Sequence, residues 1–303
     1  VGTDDVRQVA ESVDFFGDWQ DRRGGGACMD AIAGHLAWAT SLLQARGSRT
    51  TIRDLHSAVG FMANVAGWGA FDAGQHARAR GYFNDALACA EIAGDWGLRA
   101  NVLSDMARQA IYIGTVEDAL TLIELAQVRQ DRLTPTAQAM LSVVRARTLA
   151  AKGQGDDAYG AVLRSEDHFS DSEPDNDPTW IRYFSQAELD GDNGHALLDV
   201  ALTGNHVSAT RDRLARSLAA YDHNNVRARA FVLGKLSILE LTRGDVKQGI
   251  DYGRQAINTD DRLSSRRARD DLARIQRALV KHRDLPDAKE LQGRLARSLR
   301  NSA

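Results

Sequence analysis

The sequence predicts an all-α chain assembled from helical hairpins in tandem. Three observations carry that expectation. Apolar residues recur at helical spacing along nearly all of the 303 residues, and proline occurs only four times. A pattern of small, bulky and small residues, A-x3-F-x2-A, returns as Ala79, Phe83 and Ala86, as Ala119, Ile123 and Ala126, and more loosely as Ala158, Val162 and Ser165. The copies lie 40 and 39 residues apart, and a glycine stands five residues before each: Gly74, Gly114 and Gly153.

In chain order, residues 4–20 and 25–44 read as a first hairpin bent at "RRGGGA", giving an N-terminal segment over 1–48. A tandem array follows over 49–303. Small or apolar residues precede each turn glycine: Ala63, Ala66, Gly67 and Ala70 in one copy, Met106, Ala107 and Ala110 in the next. Glycine inside a helix costs about 1 kcal/mol relative to alanine, so Gly67 implies a packing reason, a helix approaching closely. Gly69 and Gly81 are expected to face tight contacts too. "SEDHFSDSEPDNDPTW" is acidic with two prolines and reads as a solvated loop over 166–178. Its alternating acids resemble a calcium loop, but position six lacks glycine and position twelve is Arg182, so a plain loop is preferred. A fourth copy is expected from "DPTWIRYFSQAELDGDNG", with Gly191 at its turn, a short segment over 194–202 and a helix over 207–221. A fifth has Gly244 at its turn and Gly249, Gly253 and Ala256 on its second helix. Helices over 263–282 and 286–299 would cap the array.

The hairpin pattern resembles the tetratricopeptide repeat, whose period is ~34 residues; longer helices would account for the longer spacing here. That resemblance implies a superhelical array of antiparallel hairpins whose first helices line a concave groove. By alignment, the groove positions are Phe61, Asn64, Trp68 and Phe71, then Asn101, Ser104, Arg108 and Ile111 with Asp105 close by, then Met140, Val143 and Arg147, then Arg182 and Glu188. Asn64, Trp68, Phe71, Asn101, Asp105, Arg108, Arg147 and Arg182 form the candidate binding set. An asparagine amide pairs with both a peptide N–H and a C=O. Arginine offers a fork to a carboxylate, and Trp68 with Phe71 would supply an apolar wall. Taken singly, each has an ordinary reading as an exposed or core helix residue.

Catalytic signatures are lacking. No histidine pair has a helical metal-ligand spacing, and no GxSxG, phosphate loop or dinucleotide fingerprint occurs. "RGGGA" has no strand before it and reads as an interhelical bend rather than an anion cradle. Glu188, Asp190 and Asp192 read as a helix end and turn rather than an acid–base set. No enzyme activity, cofactor or metal is expected. Cys28 and Cys89 read as buried, reduced thiols of a cytoplasmic protein. A net charge of -3 gives no general argument for nucleic-acid binding, and no apolar run approaches the ~20 residues of a membrane span. The C-terminal run containing Arg262, Arg266, Arg267, Arg269, Arg274, Arg277, Lys281 and Arg283 is broken by acids and reads as a solvated outer face laced with ion pairs.

Longer strings add a family resemblance. "DVRQVAESVDFFGDWQDRRGGGACMDAIAGHLAWATSLL" is similar to the segment after the DNA-binding domain of actinobacterial Cro/CI-type (XRE) helix-turn-helix regulators. The likeness continues through "LHSAVGFMANVAGWGAFDAGQHARARGYFNDALACAEIAGDWGLRANVLSDMARQAIYIG" and "WIRYFSQAELDGDNGHALLDVA". It implies the signal-receiving and dimerising half of a transcription factor, with a short peptide or a small-molecule effector in the groove and a homodimer as the working state. DNA would be read only by a domain preceding Val1, which these residues do not form. The alternative is a stand-alone interaction scaffold without a DNA role.

Overall fold

The computed structural model describes residues 1–222, 225–260 and 264–301; Arg262 and Leu263 of the sequence reading lie outside them. Among the described residues the chain is all-α, with fourteen α-helices and no strand. In order they are α1 (Thr3–Arg23), α2 (Met29–Leu42), α3 (Arg49–Asp72), α4 (His76–Ala93), α5 (Trp96–Ile113), α6 (Val116–Ala126) and α7 (Pro135–Ala151). Then come α8 (Gly155–Ser170), α9 (Gln186–Thr203), α10 (Val207–Ala220), α11 (Val226–Arg243), α12 (Val246–Asp260), α13 (Arg266–Leu279) and α14 (Pro286–Asn301).

Helix starts carry the expected caps. Ser48, Asp95, Thr134, Ser185 and Ser265 accept from backbone N–H groups of the first turns of α3, α5, α7, α9 and α13. Pro135 sits in the first turn of α7, where its missing N–H costs nothing. Three hairpin turns are made by Gly74, Gly114 and Gly153, with φ of 80°, 85° and 79°. That left-handed backbone is open to glycine and strained for other residues.

Consecutive helices pack in pairs, α3 with α4, α5 with α6, α7 with α8, α9 with α10, α11 with α12 and α13 with α14. The first helices also touch one another in series from α3 to α13. Ala79, Ala119 and Ala158 are fully buried, as are Phe83, Ile123 and Val162 four residues on. The three copies thus occupy equivalent seams, an arrangement compatible with a tetratricopeptide-like array. A Cβ on Gly67 would stand 2.5 Å from the Phe83 ring, and one on Gly69 would stand 2.6 Å from Gln20 Nε2. Gly81 departs from expectation: nothing lies within 4 Å of its would-be Cβ, so no packing accounts for it.

Several expected boundaries move. α9 runs unbroken through Gly191 and Gly194, and the turn falls at Gly204. Both internal glycines are contact points instead: a Cβ would meet Ser217 Oγ at 2.7 Å and Leu214 at 2.5 Å. Residues 166–170 of the acidic segment belong to α8, so the loop begins at Asp171. Asp177 in that loop is buried, its carboxylate accepting from Thr136 Oγ1 at 2.6 Å. In the N-terminal segment the bend is where "RRGGGA" placed it, but α1 and α2 both lean on α3, and Phe16 of α1 meets His35 of α2.

The C-terminal helices do more than cap. Ser264 N donates to Arg23 O at 2.8 Å, and Gly26 N donates back to Ser264 O at 3.0 Å. α1 packs on α11, and Tyr112 of α5 donates to Asp270 of α13. The far end of the array therefore closes onto its beginning.

Candidate functional site

Closure turns the first-helix row into an interior wall. Each helix contributes residues three or four apart, the spacing of one helical face: Asn64 and Trp68 on α3, Asp105 and Arg108 on α5, Arg147 on α7. They continue with Glu188, Asp192 and His195 on α9, Arg227, Phe231 and Lys235 on α11, and Arg267, Asp271 and Arg274 on α13. Bonds across helices tie the stripes together. Asn64 Nδ2 donates to Asp105 Oδ2 at 2.9 Å, and Arg108 Nη1 donates to Asp192 Oδ2 at 2.9 Å. Lys235 Nζ donates to Asp271 Oδ2 at 2.5 Å.

One carboxylate holds the closure. Asp72, the last residue of α3, is fully buried. It accepts from Gly25 N at 2.9 Å and Ser265 Oγ at 3.0 Å, and it lies 3.4 Å from Arg227 and 3.8 Å from Arg267. Burial pushes its pKa up, but the two guanidiniums and the two hydrogen bonds outweigh burial and hold it below its ordinary value. Arg227 stacks on Trp68 and Phe231; Arg267 lies over Trp68, Phe71 and Phe231 at 4.8–5.1 Å.

Crowding shifts the ionisation of the wall. Burial raises Asp105 to about 6 against the pull of Arg108 and Asn64. Burial and the charge of Asp192 raise Glu188 to about 7, although Tyr221 donates to its carboxylate. Burial, followed by Arg147, Lys235, Arg267 and Arg274, pushes His195 well below its ordinary value, so its imidazole is neutral at pH 7. Arg147 is brought down to about 9, by burial and then by Arg108. Tyr183 is 51% exposed, and its pKa is raised against the pull of Arg108.

The eight sequence-predicted residues fare unequally. Asn64, Trp68, Asp105, Arg108 and Arg147 share the interior wall, and Asn101 is buried one turn before Asp105. Phe71 is 1% exposed and sealed under Arg267, so it is core rather than a ligand-facing wall. Met140, Val143 and Ser104 are likewise buried core. Arg182 is exposed but lies outside the helices; its Nε donates to Asp177 O at 2.8 Å, tying it to the acidic loop. Arg267, read as part of a solvated outer face, is instead an interior residue. Asp72, Asp192, His195, Arg227 and Lys235 were not singled out as wall residues. Lys235 had a legible signal, a lone cation early in the apolar run "FVLGKLSILEL".

A cleft of about 640 Å³ lies elsewhere, among α8, α9 and α10. Its cations are already matched, Arg213 with Glu166 at 2.7 Å and Arg216 with Asp190 at 2.5 Å. No helix among the described residues is long and apolar enough to cross a membrane. Compared with known protein families and with curated proteins, the sequence finds no match. Fold and wall together define the class: an all-α chain of helical hairpins closed around a charged interior.

Proposed function

We propose that the chain is the ligand-sensing, protein-interaction and dimerisation part of a transcriptional regulator, holding a short peptide or small effector against its inner wall. The observation that carries this reading is the wall itself. Six guanidinium or ammonium groups and, with Asp72, five carboxyl groups converge there from six helices. Burying charges is costly, and apolar residues of like volume would often hold a core as well or better. Retention of so many charges therefore supports a recognition role. The resemblance to the region beyond the DNA-binding domain of XRE regulators supports the regulatory context. An effector would act only through its preference for one curvature of the array. In a dimer that change would reset the spacing of two DNA-reading heads.

Native mass spectrometry with a pool of short peptides and a pool of small polar metabolites tests the reading. One adduct per chain is expected, and Asn101→Ala or Arg108→Ala should weaken it without loss of helicity. An empty wild-type protein in both pools refutes ligand sensing; undiminished binding in both variants refutes the placement. The second reading, a stand-alone interaction scaffold, is favoured by Phe15 and Trp19. They lie 57% and 37% exposed and edge to face on α1, an apolar edge available to a protein partner.

A further inference from the structure

The interior wall has more donors than acceptors. Arg108 is matched by Asp192, Lys235 by Asp271, and Arg227 and Arg267 share Asp72. Arg147 is the exception. It is 9% exposed, and among the described residues no carboxylate lies within 4.0 Å of it. Its Nη1 is buried without any acceptor. Arg227 Nε and Arg267 Nη1 also lack a hydrogen-bond acceptor, although Arg267 Nη1 lies 3.8 Å from the Asp72 carboxylate. A buried donor left unmatched carries its full desolvation penalty, about 1–3 kcal/mol and more when charged. Three such donor atoms, all on guanidiniums, stand on one wall against a single unmatched acceptor there, Asn64 Oδ1.

The neighbours of Arg147 sharpen the point. His195 on α9 lies close enough to feel its charge and is neutral, so it supplies no counter-charge. Asp192 is near but committed to Arg108, and Asp271 to Lys235. Arg108 and Arg267 add further positive potential at the same place.

Resting on the ligand-sensing reading above, we infer that the effector is an anion whose carboxylate or phosphate oxygens seat on the guanidinium of Arg147. The planar fork of arginine suits a two-oxygen acceptor, and a low-dielectric wall strengthens the pair. Neutral His195 serves as a further hydrogen-bonding group rather than a second charge.

The test uses the full chain and three probes at matched ionic strength: a tripeptide pool with free C-terminal carboxyls, the same pool amidated, and inorganic phosphate. Binding is read by calorimetry and native mass spectrometry in wild type, Arg147→Met and Arg147→Lys, with helicity checked by circular dichroism. Wild type should prefer an anionic probe over the amidated pool by roughly tenfold or more, the scale of one charge-assisted bond. R147M should lose that preference. R147K, which keeps the charge without the fork, should retain part of it and covers the case in which R147M fails to fold. Preference for peptide acids assigns a carboxylate, and preference for phosphate assigns a phosphate. Equal binding of acid and amidated pools, or an unchanged preference in R147M, overturns the inference while leaving ligand sensing standing. Wild-type protein that binds none of the probes overturns the anion assignment; ligand sensing itself falls only if the metabolite pool also leaves the protein empty.

Discussion

Replacing Asp72 by asparagine should open the closure between the two ends of the array. The substitution keeps the volume and one acceptor oxygen but removes the charge. It also sets an NH2 among donors from Gly25, Ser265, Arg227 and Arg267. Breaking a buried pair by removing one partner costs about 3–5 kcal/mol, because the remaining charge stays buried. At ~2.1 cal/mol/K per residue, 303 residues give an unfolding entropy near 0.6 kcal/mol/K. The expected fall in melting temperature is then about 5–8 °C. Hydrogen exchange should quicken at α1 and the start of α13 before it changes at α7 and α8, since repeat arrays open locally. The pH dependence has a definite sign. The folded pKa of Asp72 lies below its ordinary 3.8, so its contribution is present above that value and is lost as pH falls through the folded value. D72N should lack that acid-side loss. Arg227 and Arg267 face this carboxylate, with Asp21 beyond Arg227 at 3.4 Å. A melting temperature within 1 °C of wild type, with exchange at both ends unchanged, would refute the closure argument.

Gly67→Ala should lower stability, because overpacking against Phe83 costs about 1–3 kcal/mol and outweighs the ~1 kcal/mol gained in helix propensity; Gly81→Ala should raise it by about 0.5–1 kcal/mol. Urea midpoints moving in opposite directions are the check, and movement in the same direction contradicts the packing account. Asp105→Asn should flatten the pH profile between about 4 and 6. The wild-type carboxyl is raised from 3.8 to about 6, so its contribution is complete below 3.8 and fades as pH rises through 6. Thermal melts of both proteins across that window, differing least at the acid end, are the expected result.

Much of the fold was legible because local rules and tertiary packing agree. Ala79, Ala119 and Ala158 announced the hairpin seams, and Gly74, Gly114 and Gly153 announced the turns. The errors came where packing overrides local chemistry. Gly191 resembles a turn residue, yet α9 continues through it, and the glycine is a packing contact because Ser217 occupies the space a side chain would need. Gly81 looked like a packing glycine, and its surroundings are open.

The site divides along the same line. Helical spacing placed Asn64, Trp68, Asp105, Arg108 and Arg147 on one face, since that face depends only on the period of the helix. Spacing could not reveal that Phe71 is sealed by Arg267, a residue 196 positions away. Nor could it reveal that Asp72 gathers the first bend, α11 and α13. The amino-acid order alone determined the helices, their pairing and the polarity of each inner face. Whether those faces meet around one interior, and which cation is left without a counter-charge, was decided only when the ends of the chain came together. Coulomb interactions depend on distance in space, and closure is what brings distant positions within reach.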